Sequence, residues 1–180
     1  MHVRIHELLE HLDAQRRDLR EAFEAVPRNL RDVMPAPGRW SAANVIEHVA
    51  MVESRLAGRL SASISEARAR GLEPERDATG VLNTFDLSLM KDRTSRRSAP
   101  EPVQPTGLTA DDAWRSLEEA TVALHAAILE GEGLALGTVS VEHPVFGSIS
   151  LYHYIAILGA HEGRHAAQLR EIAEALEART

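Results

Sequence analysis

The 180 residues contain no cysteine. That removes a disulfide framework, a thiolate metal site and a cysteine nucleophile from consideration. Long apolar runs are missing too: none approaches the roughly 20 residues that a helix needs to cross a bilayer. The opening stretch MHVRIHELLEHLDAQRR is amphipathic and charged, without the apolar core and small-residue cleavage site of a signal peptide, so a cytoplasmic location is expected. Positive charge is in the minority. Against 27 Asp and Glu stand 20 Lys and Arg, a net charge of −7 with neutral histidine. This balance argues against a role built on phosphate backbones or anionic membranes, so neither nucleic acid nor membrane is an expected partner. The local basic run KDRTSRR at 91–97 reads as a solvated loop.

What the chain does have is helical periodicity, in four segments. The first, about 2–26, puts Ile5, Leu8, Leu9, Leu12, Leu19, Phe23 and Val26 on one stripe and stops at Pro27. The second, about 41–70, runs through Val45, Val49, Val52, Leu56, Leu60 and Ile64 to Gly71. The third, about 110–130, carries Ala113, Leu117, Thr121, Leu124 and Ile128. The fourth, about 150–177, carries Leu151, Ile155, Leu158, Leu169, Ile172 and Leu176. Ser41, Thr109 and Ser150 stand where N-caps belong, with Trp40/Val45 and Ile149/Tyr154 placed as hydrophobic staples. Between the second and third helices, 71–108 is rich in Pro, Gly, Ser and charge, with a short helix or extended piece expected in VLNTFDLSLM at 81–90. So long a connection is explained if the two helices run parallel and the chain must travel the length of a bundle between them. The expectation is an all-α chain: one domain over 1–180, a four-helix bundle with a long crossover between its second and third helices.

Nine histidines make one pair at i, i+4 unsurprising. His2 and His6 form such a pair in a first turn prone to fraying, and no site is assigned to them. His161 and His165 differ, because the apolar stripe of the fourth helix runs through their positions. Two imidazoles four residues apart share a helical face and reach one ion. His48, three after Val45 and four before Val52, borders the inward face of the second helix. A tripod of His48, His161 and His165 leaves at least one coordination position open, as in catalytic zinc sites. The alternative is three core histidines satisfied by backbone, carboxylates or water.

The stretch RWSAANVIEHVAMVE at 39–53 resembles the opening motif of DinB-like proteins, the DinB/YfiT superfamily: Trp-Ser, a His eight positions after Trp40, then Glu53. HPVFGSISLYHYIAILGAHEGRHAAQ at 143–168 resembles their closing motif, a His-Pro-x-x-Gly turn and then a helix bearing His-x3-His-x2-Gln. RRSAPEPVQPTG at 96–107 is similar to the Pro-rich lead into their third helix. The resemblance implies an up-down-down-up bundle, a divalent-metal site whose triad falls on His48, His161 and His165, and a homodimer. It also implies that some relatives are transferases or isomerases dependent on low-molecular-weight thiols, while others carry only the label of metal-dependent hydrolase.

Two functional expectations follow. In one, the chain is a metal-dependent enzyme, a hydrolase or a low-molecular-weight-thiol S-transferase, acting on a small electrophilic substrate. In the other it is a non-catalytic metal- or ligand-binding stress protein. An open tripod favours the enzyme, since structural zinc sites usually close with four ligands. Zinc or nickel is the expected ion, and without cysteine any thiol must arrive as a cosubstrate. Glu47, Glu53 and Glu162 are candidate bases or supports, and Gln168 is a candidate for orienting a ligand. Arg93, Arg96 and Arg97 in the crossover are candidates for receiving an anionic substrate. His143 is expected to stabilise its turn, His125 to fill helix surface or core, and His153 to be structural.

Overall fold

The computed structural model describes residues 1–94 and 98–179. Five α-helices dominate these residues: α1 (Val3–Ala25), α2 (Ala42–Ala69), the single-turn α3 (Ser88–Lys91), α4 (Ala110–Glu130) and α5 (Leu151–Glu177). The four long ones match the periodic segments, and their starts are built as the caps predict. The Ser41 hydroxyl accepts the Asn44 N–H, and the Asn44 side chain accepts the Ser41 N–H in return, each at 3.2 Å. Thr109 and Ser150 accept from Asp112 and His153 in the same way. Asp111 and Asp112 in the first turn of α4 complement its positive end. Past the end of α2, Gly71 takes φ +78°, a left-handed conformation in which a side chain would be strained. His2 does not lie in a loose end: its Nδ1 caps α1 by accepting the Arg4 N–H.

One expectation needs correcting. The chain is not purely α-helical: β1 (Ser140–His143) and β2 (Gly147–Ser150) form an antiparallel hairpin, with Val141 opposite Ile149 and both buried. Strands of four residues stand at the lower limit at which period-2 alternation is recognisable. The sharp reversal at Pro144–Gly147 nevertheless closes the pairing, with Gly147 at φ +67°.

The helix α2 packs along α4, and α1 along α5. The apolar core is in two parts. One joins Ile5–Leu12 of α1, Ala57–Ile64 of α2, Leu124–Ile128 of α4 and Leu151–Ala160 of α5. The other joins Leu19–Phe23, Ala42–Ala50, Ala110–Leu117 and Ala166–Leu176. Between them lies a level at which the long helices carry polar side chains, and the histidines of α5 sit there.

The crossover is tied down throughout its described length. Pro74 bridges Leu134, and Arg4 reaches Glu75 at 2.9 Å. Short 3-10 turns occupy Leu82–Thr84 and Glu101–Val103, with α3 between them, so the piece expected at 81–90 is a pair of single turns. No helix among the described residues is long and apolar enough to cross a membrane.

Candidate metal centre

On α5, positions 161, 165 and 168 follow one another along a single face. The helix is locked against α1 and the core on its other sides, so this face can only look toward α2 and the crossover. The imidazole of His165 is fixed first: its Nδ1–H donates to Gln168 Oε1 at 3.0 Å. That bond assigns the proton to Nδ1 and leaves Nε2 with a lone pair. His165 Nε2 stands 3.1 Å from His161 Nε2, a gap that one proton or one cation must fill. From α2, His48 donates through Nδ1 to the Val103 carbonyl at 2.7 Å, so its Nε2 is also turned to the lone-pair form. The three rings have centroids 4.4, 5.0 and 5.3 Å apart, and Trp40 covers His48 at 5.0 Å.

One ligand atom from each imidazole lies within 4.8 Å of the other two. Four-coordinate zinc at 2.0–2.1 Å from each nitrogen holds its ligands about 3.4 Å apart, so a small inward ring rotation completes the site. Electrostatics agree with ligation. Burial lowers the basicity of all three, and lowers His165 well below the ordinary histidine range with help from His161 and His48. His161 keeps some accessible surface, yet desolvation, His48, Arg164 and His143 bring it down to about 3. Imidazoles held neutral present the form that binds a metal ion. The donor set therefore fits a divalent cation.

A family model described as the DinB superfamily matches residues 11–169. The chain belongs to the DinB superfamily. It is also similar to YuaE of Bacillus subtilis (strain 168), a protein named as uncharacterized, with 26% identity over 145 residues, 79% of this chain and 83% of that one. No solved structure matches significantly.

In this DinB-superfamily chain the three candidate carboxylates turn away from the imidazoles. Glu47 accepts from Thr106 N (2.7 Å), Thr106 Oγ1 (2.6 Å), Gly107 N and Leu108 N (both 3.0 Å). Against the cost of its own desolvation, these bonds hold its carboxyl below the usual range. Its role is to fasten the lead into α4. Glu53 and Glu162 both bond Arg16 of α1: Nε donates to Glu162 at 2.7 Å and Nη2 to Glu53, while Nη1 reaches Thr121 Oγ1 at 2.6 Å. Both carboxylates are only 2% exposed, which makes this a closed ionic cluster rather than a solvent-facing base. Burial and the neighbouring Glu162 push Glu53 up to about 8, against the pull of Arg16.

The sequence reading passed over Arg16. A signal for it existed, since the α1 stripe jumps from Leu12 to Leu19 and Arg16 fills the slot four after Leu12. The Val103 carbonyl was also missed, because backbone acceptors from a loop leave no trace in sequence.

The remaining candidates fall as follows. His143 stabilises its turn by accepting Val145 and Phe146 N–H groups at 3.1 and 3.3 Å. His125 is half-buried beside Asp13, and His153 stacks on Phe85 with Nε2 on Thr84. Arg93 forms a two-toothed ion pair with Glu171. Arg96 and Arg97 lie outside the described residues.

Proposed function

We propose that this protein is a metal-dependent enzyme in which His48, His161 and His165 hold a zinc or nickel ion, acting on a small electrophilic substrate. The observation that carries the reading is the orientation of the rings. Two of the three spend Nδ1–H on oxygen acceptors and turn Nε2 toward a common point, as ligand histidines do. The candidate cluster has three members among the described residues, short of the four that close a structural zinc site. A divalent ion so held supplies Lewis acidity and activates a nucleophile at neutral pH. With water as nucleophile the reaction is hydrolysis; with a low-molecular-weight thiol as cosubstrate it is S-transfer. The protein's own contributions are to keep three imidazoles neutral, to fix their tautomers, and to cover His48 with Trp40.

In the same proposal residues 1–180 make one cytoplasmic domain that works as a homodimer. Its long helices form an up-down-down-up bundle, a topology supported by which helix halves share each core cluster.

Purification without a histidine tag and elemental analysis test the site. The wild type is expected to hold about one divalent ion per chain, and His165→Ala to lose it, because two ligands bind an exchangeable ion poorly. A wild type that takes up neither zinc nor nickel ends the proposal. Offering thiols with electrophilic acceptors then separates the chemistries. Turnover that needs thiol and stops with chelator is S-transfer; chelator-sensitive turnover without thiol is hydrolysis; an ion-loaded protein inert across the panel is a binder.

A further inference from the structure

The proposed ligands come from two different helix pairs. His48 belongs to α2, which packs along α4, whereas His161 and His165 belong to α5, which packs along α1. The spacing of His161 and His165 is a property of one helix, with their Nε2 atoms 3.1 Å apart. That of His48 from the other two is not. It changes whenever one pair of helices slides or spreads relative to the other.

One side chain spans both pairs. Arg16 of α1, only 16% exposed, donates from Nε to Glu162 of α5 at 2.7 Å and from Nη1 to Thr121 of α4 at 2.6 Å. Its Nη2 donates to Glu53 of α2. The guanidinium therefore holds one partner on each of the other three long helices, and its planar fork fixes their directions as well as their distances. Two of these partners stand close along the chain to the ligands. Glu162 follows His161 directly, and Glu53 lies five residues beyond His48, about 7.5 Å of helix rise.

We infer that Arg16 is a positioning residue for the metal centre: by clamping Glu53 and Glu162 together, it sets the distance at which His48 joins His161 and His165 on the ion. This inference rests on the metal reading above and adds to it a residue from a helix that carries none of the three ligands. Small shifts matter here, because metal–ligand distances are held to within about 0.2 Å. Released from the clamp, α2 leaves the ion on His161 and His165, with water in place of the third imidazole.

The test is a double-mutant cycle on the full chain, read as zinc affinity in competition with a chelating indicator. E53M cuts the tie to α2 while leaving Arg16 and Glu162 as a matched ion pair, and R16K keeps the charge but loses the fork. Each is made in the wild type and in H48A, with the folding of every sample checked by circular dichroism. In the wild type each is expected to weaken zinc about tenfold or more, as losing an outer support of a ligand does. In H48A no third imidazole remains to be placed, so each is expected to change the residual affinity by no more than about twofold. Wild-type affinity in either variant overturns the inference. So does an equal loss with and without His48, which would make the cluster a source of general stability or of negative charge and not of position. If R16K does not fold, E53M decides alone by the same criteria. If H48A binds no measurable zinc, cobalt loaded into E53M decides: its visible absorption must weaken relative to the wild type as water replaces His48, and an unchanged spectrum overturns the inference. A wild type that binds no zinc sinks the metal reading and this inference together; zinc uptake indifferent to both substitutions sinks only this one.

Discussion

At the scale of single residues, the site depends less on having three histidines than on which nitrogen of each carries the proton. His165 owes its tautomer to Gln168 and His48 owes its own to the Val103 carbonyl. Gln168→Leu keeps the side chain's bulk and removes the acceptor, so the His165 ring is free to turn and to take the other tautomer. Zinc affinity is expected to fall about 10- to 100-fold, the usual cost of losing such a partner, in competition against a chromogenic chelator. Unchanged affinity would mean that Gln168 is ordinary helix surface. This part of the site was legible because helix geometry alone puts 161, 165 and 168 on one face. The carboxylates were not. Whether Glu162 looks at the histidines or away from them depends on which helix lies opposite, and its partner Arg16 is 146 residues away.

Caps and apolar stripes are local signals, and at the scale of elements they located all four long helices. The hairpin at 140–150 and the tie-downs of the crossover depend on long-range pairing and were not visible. Close approach of α1 and α5 is another tertiary feature that the sequence hides in small residues. A Cβ at Gly159 would stand 2.4 Å from His11 Nε2, and one at Gly163 would stand 2.3 Å from Gln15 Oε1. The clashes look alike and differ in consequence. Gln15 can swing its amide aside, whereas the His11 ring is held by the Ala156 carbonyl at 3.2 Å. Replacing a helical glycine by alanine gains about 1 kcal/mol of helix propensity. Overpacking costs about 1–3 kcal/mol, with roughly 1 kcal/mol more for the lost hydrogen bond. Gly159→Ala is therefore expected to destabilise the fold by about 1–3 kcal/mol in urea titration, and Gly163→Ala to leave it within about 1 kcal/mol of the wild type. Equal effects from the two would show that α1 and α5 adjust as rigid bodies instead of through these side chains.

Across the whole molecule, two apolar clusters are separated by a polar level to which α1 gives Arg16, α2 Glu53, α4 Thr121, and α5 Glu162 together with two of the histidines. One guanidinium facing two buried carboxylates is a net negative charge unless the pair shares a proton, and burial beside Glu162 pushes Glu53 up to about 8, in the direction that keeps one. The consequence for stability has a definite sign. An unfolded glutamate loses its proton near 4.5, while the folded one keeps it to about 8. Between those values the native state binds more protons than the unfolded chain, so stability falls as pH rises through the window and levels off outside it. Glu53→Gln carries the neutral form permanently and is expected to flatten that slope in urea titrations from pH 5 to 9. Arg16→Met leaves both carboxylates buried without their partner and should cost about 3–5 kcal/mol, as breaking a buried pair does. The deficit of Arg16→Met should grow with pH as the second carboxylate ionises. Were the wild type and Glu53→Gln to lose stability in parallel over this range, the shared proton would have to be abandoned, and the polar level would be an ordinary ion pair with a net charge sealed inside the fold.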